Sequence, residues 1–130
     1  MSERKIVTRE QFLKPLPRQT EYVPVPEFGE GYEIPVCSLY TGERNEYEAY
    51  FTLANGKPNT NRLRNVRQML VVYCCRDESG RQLFTVDDVA ALAEQLCPVV
   101  ERLVEVAVRI NNMAKDVEKL EKNSDATGGA

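Results

Sequence analysis

Hydrophobic positions along this chain follow two different patterns. Between Glu21 and Cys37 they gather in two short β-prone runs, Glu21-Tyr22-Val23-Pro24-Val25-Pro26 and Tyr32-Glu33-Ile34-Pro35-Val36-Cys37, separated by Glu27-Phe28-Gly29-Glu30-Gly31. That predicts a β-hairpin over 21–38, whose prolines lack a backbone donor and therefore suit edge strands. Ahead of it, Thr8-Arg9-Glu10-Gln11 offers a helix cap with a Gln three residues on, but Pro15 holds any helix there to about two turns. Residues 1–20 read as a flexible arm or a short helix.

From Thr41 onward the period is helical. Tyr47, Tyr50, Phe51 and Ala54 stand at i, i+3, i+4 and i+7 behind Thr41 as cap, and Asn55-Gly56-Lys57-Pro58-Asn59 follows as a polar loop. A second helix is predicted over 62–76, with Leu63, Val66, Leu70, Tyr73 and Cys74 in one stripe and Met69, Val71, Val72 and Cys75 widening it. Its C-terminal half is apolar almost all round, which makes it the central helix. Asp77-Glu78-Ser79-Gly80 reads as a turn, and Thr85 with Asp87 and Asp88 opens a third helix. Pro98 suits position one of a further helix, where Val99, Leu103, Val106, Ala107, Ile110 and Met113 recur at helical spacing. Asn111-Asn112 is a candidate break, after which Val117 and Leu120 continue the stripe on a final short helix. Residues 124–130 have nothing to bury and are expected to form a disordered tail. The expected fold class is mainly α: a small helical domain with a short N-terminal β-hairpin, one domain over 1–123 with its helical body over 41–123.

Composition narrows the picture. At 130 residues, 42% hydrophobic and 28% charged, the chain has the size and balance of one globular domain. A net charge of -3 predicts no charge-driven grip on nucleic acid or anionic lipid by the chain as a whole. No window approaches the ~18 apolar residues of a membrane span, and the first residues are not followed by a long apolar stretch, so a soluble, unexported protein is expected.

Candidate chemistry is sparse. The chain has no histidine, and Cys37, Cys74, Cys75 and Cys97 lack paired Cys-x-x-Cys spacing. Buried thiols in a reducing cytoplasm are the expectation for all four. Asp77/Glu78 and Asp87/Asp88 sit where turns and first helical turns favour acids for backbone reasons. Gly29-Glu30-Gly31 has no Lys-Ser/Thr pair or helix start after it and is no phosphate loop. The expectation is no enzyme, no cofactor and no metal site. One charge asymmetry stands out: Lys57, Arg62, Arg64, Arg67, Arg76 and Arg81 face only Asp77 and Glu78, six against two, a local +4. Arg64 and Arg67, one turn apart, could meet an acidic partner, and could equally be a solvated face or pair with the chain's own acids. The stripe Val99, Leu103, Val106, Ile110 and Met113 is a second candidate contact, with a core role as its alternative.

The order of motifs adds a resemblance. Tyr40-Thr41-Gly42-Glu43-Arg44-Asn45-Glu46-Tyr47-Glu48, a basic helix ending in Cys75-Arg76-Asp77-Glu78-Ser79-Gly80-Arg81, the run Gln82-Leu83-Phe84-Thr85-Val86-Asp87-Asp88-Val89, Arg109-Ile110-Asn111 and Leu120-Glu121-Lys122-Asn123 together resemble the tail assembly chaperones of long-tailed (lambda-like, siphovirus) bacteriophages over roughly Val23 to Asn123. The paired cysteines and the Pro-rich segment before Tyr32 depart from that pattern. The resemblance implies a non-enzymatic protein of the host bacterial cytoplasm that coats the tape-measure protein, self-associates and is absent from the mature virion. It also implies a ribosomal slip near the gene's end, giving a longer form that recruits the major tail protein. Codons for Glu121-Lys122-Asn123 can read A-AAA-AAC, a slippery run, although Lys122 and Asn123 could simply finish a helix. Neither nucleic acid nor membrane is an expected partner. The alternatives are a structural head-tail joining or tail-completion protein of the virion, and a small regulator binding nucleic acid through Arg62, Arg64 and Arg67.

Overall fold

The Thr8 hydroxyl accepts a hydrogen bond from the Gln11 amide at 3.2 Å, and the Gln11 side chain accepts one from the Thr8 amide at 2.9 Å. This reciprocal cap starts a short helix, Arg9–Leu13 (α1), which ends at Lys14 because the residue before a proline is pushed to extended backbone. The computed structural model describes residues 3–128 of the chain. Strands Thr20–Pro24 (β1) and Glu33–Cys37 (β2) pair antiparallel, from Thr20 opposite Cys37 to Pro24 opposite Glu33. A two-stranded ribbon has an open edge on each side, where a proline's missing donor is tolerated. In the connecting loop a 3-10 turn, Pro26–Phe28, is followed by Gly29 at φ +137°, where a Cβ would press to 2.8 Å against the Tyr32 ring.

Helix Thr41–Tyr50 (α2) starts one residue earlier than a Thr41 cap implies. Glu43 reaches back to accept the Tyr40 amide at 2.9 Å, so Tyr40 holds the cap position and Thr41 is already helical. The helix stops at Phe51, which leaves Ala54 exposed in the loop, while Tyr47 is buried edge-on against Phe51 and Tyr73. The single helix expected over 62–76 is two: Thr60–Leu63 (α3), capped by the Asn59 side chain, and Val66–Cys74 (α4). Between them Asn65 leaves helical backbone at ψ 19°. The break lets α3 lie against the C-terminal helix while α4 enters the interior.

Val66, Met69, Leu70, Val71, Val72 and Cys74 are all buried, so α4 is the central helix. Beyond it, Asp77 Oδ1 accepts from the Ser79 amide, the Ser79 hydroxyl and the Arg81 amide, and Gly80 turns at φ +86°. A 3-10 turn at Val86–Asp88 leads into Val89–Ala93 (α5). Helix Cys97–Asn111 (α6) starts on Cys97, which puts Pro98 at its second position rather than its first. It ends at Asn112, in the left-handed region at φ 53°. The last helix, Ala114–Gly128 (α7), carries helical backbone past Ser124, where the tail was expected to be disordered; Ser124 to Thr127 contain no glycine or proline to end it. Residues 129 and 130 of that expected tail lie outside the described residues. The domain is mainly α with one antiparallel hairpin toward its N-terminal side. Around α4 pack α2, α5, α6, α7 and β2.

Asn111 locks α6 to the chain leaving β2. Its Oδ1 accepts the Leu39 amide at 2.7 Å, and its Nδ2 donates to the carbonyls of Ala107 at 3.0 Å and Cys37 at 3.4 Å. An Asn111→Ala variant strands the Leu39 amide and should lose about 1–3 kcal/mol of stability. Urea unfolding monitored by circular dichroism measures it, and a midpoint unchanged from wild type would show that these bonds contribute nothing net.

Candidate functional site

Two concavities and one exposed arm are where side chains gather. The first concavity, about 270 Å³, lies between the start of the hairpin and the Asp77 turn, lined by Arg18, Thr20, Cys37, Arg76, Asp77 and Ser79 among others. Behind it Glu43 binds two guanidinium groups: Arg18 Nη1 donates to Glu43 at 2.7 Å with a second bond alongside, and Arg76 approaches it at 3.1 Å. Arg76 is only 7% exposed and also donates to the carbonyls of Tyr73 at 2.8 Å and Gly80 at 3.0 Å. Arg18 donates to the Ser38 carbonyl and lies 4.4 Å over the Tyr40 ring. Hydrogen bonding from Arg18, against the cost of partial burial, holds the Glu43 carboxyl below its ordinary 4.5. Both arginines are thus committed to protein acceptors, and the cluster is a clamp joining arm, α2 and the end of α4 rather than an anion-binding site.

The cysteines divide. Cys37, Cys74 and Cys75 are buried, and burial pushes the Cys74 thiol up to about 12 and Cys75 upward as well, which removes the thiolate a nucleophile needs. Cys97 departs from expectation: at the first turn of α6 it is exposed, and its neighbour Glu101 raises its pKa. Among the described residues no group of three or more Cys, Asp or Glu is placed to hold a metal ion, and no helix is long and apolar enough to cross a membrane.

The second concavity is an open apolar groove of about 500 Å³ between the hairpin loop, α5 and α6. Val71, Val99 and Leu103 are buried residues among its lining, and Phe28 and Tyr32 flank it at 56% and 61% exposed. The groove exists because the hairpin covers only part of α6: Arg102 fastens the loop through Glu27 at 2.8 and 2.9 Å, and Arg109 fastens β1 through Glu21 at 2.6 Å.

The residues singled out from the sequence separate on this framework. Val99, Leu103 and Met113 are buried in the chain's own interior, and Val106 and Ile110 are half-buried beside it. Val99 and Leu103 nevertheless show an edge to the groove. Arg67 binds Glu101 at 2.8 Å and Glu121 at 3.4 Å, and so joins α4 to α6 and α7. Arg64 is exposed, with no ion pair among the described residues. Arg62 stacks 4.6 Å over Tyr50 and donates to its carbonyl. Of the six cations of that stretch, Arg67 and Arg76 are paired with glutamates and Arg62 is stacked on Tyr50, while Lys57, Arg64 and Arg81 have no ion pair among the described residues. The sequence reading did not single out the arm itself, where Ile6, Phe12 and Leu16 are 82%, 80% and 79% exposed. The signal was present: five large apolar residues between Ile6 and Leu16 on a segment too short and proline-bound to build a core.

Comparison with known proteins returns no match for this chain, whether against family models, curated proteins or solved structures.

Two measurements follow from this geometry. Because the Glu43 pKa is depressed in the fold, its stabilisation is present above about 4.5 and is lost as pH falls through the folded value. Glu43→Ala should cost about 3 kcal/mol at neutral pH by leaving Arg76 buried without its carboxylate, and the gap to wild type should close as pH drops below 4.5; a gap independent of pH would refute the clamp. Thiol titration with a chromogenic disulfide should find one fast cysteine, Cys97, in the native protein and all four after unfolding. Rapid native reaction of Cys74 or Cys75 would contradict their burial.

Proposed function

We propose that this chain is a tail assembly chaperone of a long-tailed bacteriophage, acting in the host cytoplasm and absent from the finished virion. It holds the tape-measure protein until the tail tube closes round it, and a frameshifted longer form recruits the major tail protein. The observation that carries the reading is the order of motifs from Tyr40 through Cys75–Val89 to Asn123, spanning most of the chain. A fold that leaves an apolar groove and an apolar arm open to solvent is in keeping with a protein that works by contact with other chains. Lys122 and Asn123 lie inside α7, so finishing a helix does not account for them, and the slippery reading of Glu121-Lys122-Asn123 is retained as part of the proposal. For the tape-measure contact, Arg64 is the exposed cation, beside Arg67 and the accessible edges of Val99, Leu103, Val106 and Ile110; Met113 is buried too deeply to take part without unfolding. Arg62 and Arg67 are occupied within the fold, which counts against the nucleic-acid regulator.

Co-expression with an affinity-tagged segment of the long helix-rich reading frame expected downstream should retain this chain. Arg64→Glu should weaken the capture several-fold and flatten its salt dependence with an unchanged melting midpoint. Stoichiometric presence in purified particles would favour the head-tail joining or tail-completion reading instead, and salt-dependent retention on DNA would favour the regulator.

A further inference from the structure

The arm and the groove are complementary in chemistry and lie at opposite ends of the hairpin. We propose that the arm, residues 3–17, docks by its apolar side chains into the groove of a second copy of this chain. The arm carries Ile6, Val7, Phe12, Leu13 and Leu16, all exposed, and none of the residues of α1 is buried. The Tyr40 hydroxyl holds it to the body by donating to the Leu16 carbonyl at 2.7 Å, with an open crevice of about 880 Å³ between arm and body.

Charge selects the occupant. Residues 3–17 contain Arg4, Lys5, Arg9 and Lys14 against Glu3 and Glu10, and those four cations have no ion pair among the described residues. The hairpin that walls the groove, residues 20–37, contains Glu21, Glu27, Glu30 and Glu33 and no Lys or Arg. Glu21 and Glu27 are held by Arg109 and Arg102, which leaves Glu33, in the groove's own lining, and Glu30, in the loop between the flanking Phe28 and Tyr32, without an ion pair among the described residues. A basic apolar segment facing an acidic apolar groove fits by both sign and surface.

Position makes the partner a second copy. The arm is anchored by the Arg18–Glu43 pair beside Thr20 and Cys37, one end of the ribbon, whereas the groove opens at Val25, Tyr32 and Glu33, the other end. The arm's own hold, at Leu16 and Tyr40, lies at the first of these ends, and none of its residues is in the lining of its own groove. Arm-to-groove contact between copies is heterologous, so it propagates head to tail unless two copies exchange arms reciprocally. The inference does not rest on the phage reading.

The test uses the full chain in sedimentation-velocity titrations. Wild type should associate with concentration, and Phe12→Asp with Leu13→Asp in the arm, or Phe28→Asp in the groove, should each weaken association by about tenfold or more. All three sites are exposed, so circular dichroism and melting should be unchanged; Tyr32→Asp is the second groove variant if Phe28→Asp disturbs the fold. Mixing the arm variant with the groove variant should restore a one-to-one complex, because one intact arm meets one intact groove. A wild type that stays monomeric at its highest soluble concentration, with the arm seated in its own groove, overturns the proposal. So does a mixture that forms no complex, or a groove variant that self-associates as wild type does.

Discussion

A helix whose C-terminal half is apolar almost all round must be covered on nearly every side, and α4 sets that demand for the whole molecule. Six of its nine residues are buried, and at about 1.5–3 kcal/mol per large apolar side chain removed from water their burial is worth about as much as a domain's entire net stability. The elements packed round it accordingly supply apolar side chains to the same core: Tyr47 from α2, Val89 from α5, Val100 and Leu103 from α6, Val117 from α7, Val36 from β2. The charge cluster is a consequence of the same constraint. The chain leaves α4 through Cys75 and Arg76, and a guanidinium emerging from an apolar interior needs a counter-charge. Glu43 supplies it, and in doing so brings Arg18 and the root of the arm against the body.

Local chemistry was legible in the sequence wherever a few neighbouring residues decide the backbone. The Thr8/Gln11 cap, the Asp77 turn and the Asn112 stop between α6 and α7 depend on hydrogen bonds or dihedral limits within about four residues, and the hairpin pairs two runs no more than seventeen residues apart, so the residue types announce them. The centrality of α4 was legible too, because a helix apolar all round has only one place to be. The break at Asn65 was not. No glycine or proline marks it, and it arises because α3 and α4 answer to different neighbours, α7 and α6.

Surface roles were the least legible. A stripe such as Val99, Leu103, Val106, Ile110 and Met113 looks the same whether its partner is the chain's own α4 or another protein, since periodicity reports a face and not what covers it. Likewise Arg64 and Arg67 are one turn apart in sequence yet differ wholly in the fold: Arg67 meets Glu101 and Glu121, thirty-four and fifty-four residues on, while Arg64 faces solvent. Cys97 was grouped with three interior thiols by composition alone, and it is the start of α6 at the surface that separates it.

The arm shows what is left over once α4 is covered. Ile6, Val7, Phe12, Leu13 and Leu16 stay exposed, and Pro15 and Pro17 keep the segment from extending as a helix that could pack along the body. Cations interleaved among Ile6, Val7, Phe12 and Leu13 keep such a segment hydrated while it waits, but they also bar it from the chain's own interior, where a lysine or arginine without a carboxylate is costly. An apolar groove with an acidic rim is compatible with both properties. The hairpin, all of whose charged residues are glutamates, makes the groove acidic at its rim while Val71, Val99 and Leu103 keep it apolar at its base. Glu21 and Glu27 fasten the hairpin to α6 through Arg109 and Arg102, and Glu33, in the groove's lining and outside those pairs, sets the sign of the surface that the fold leaves open.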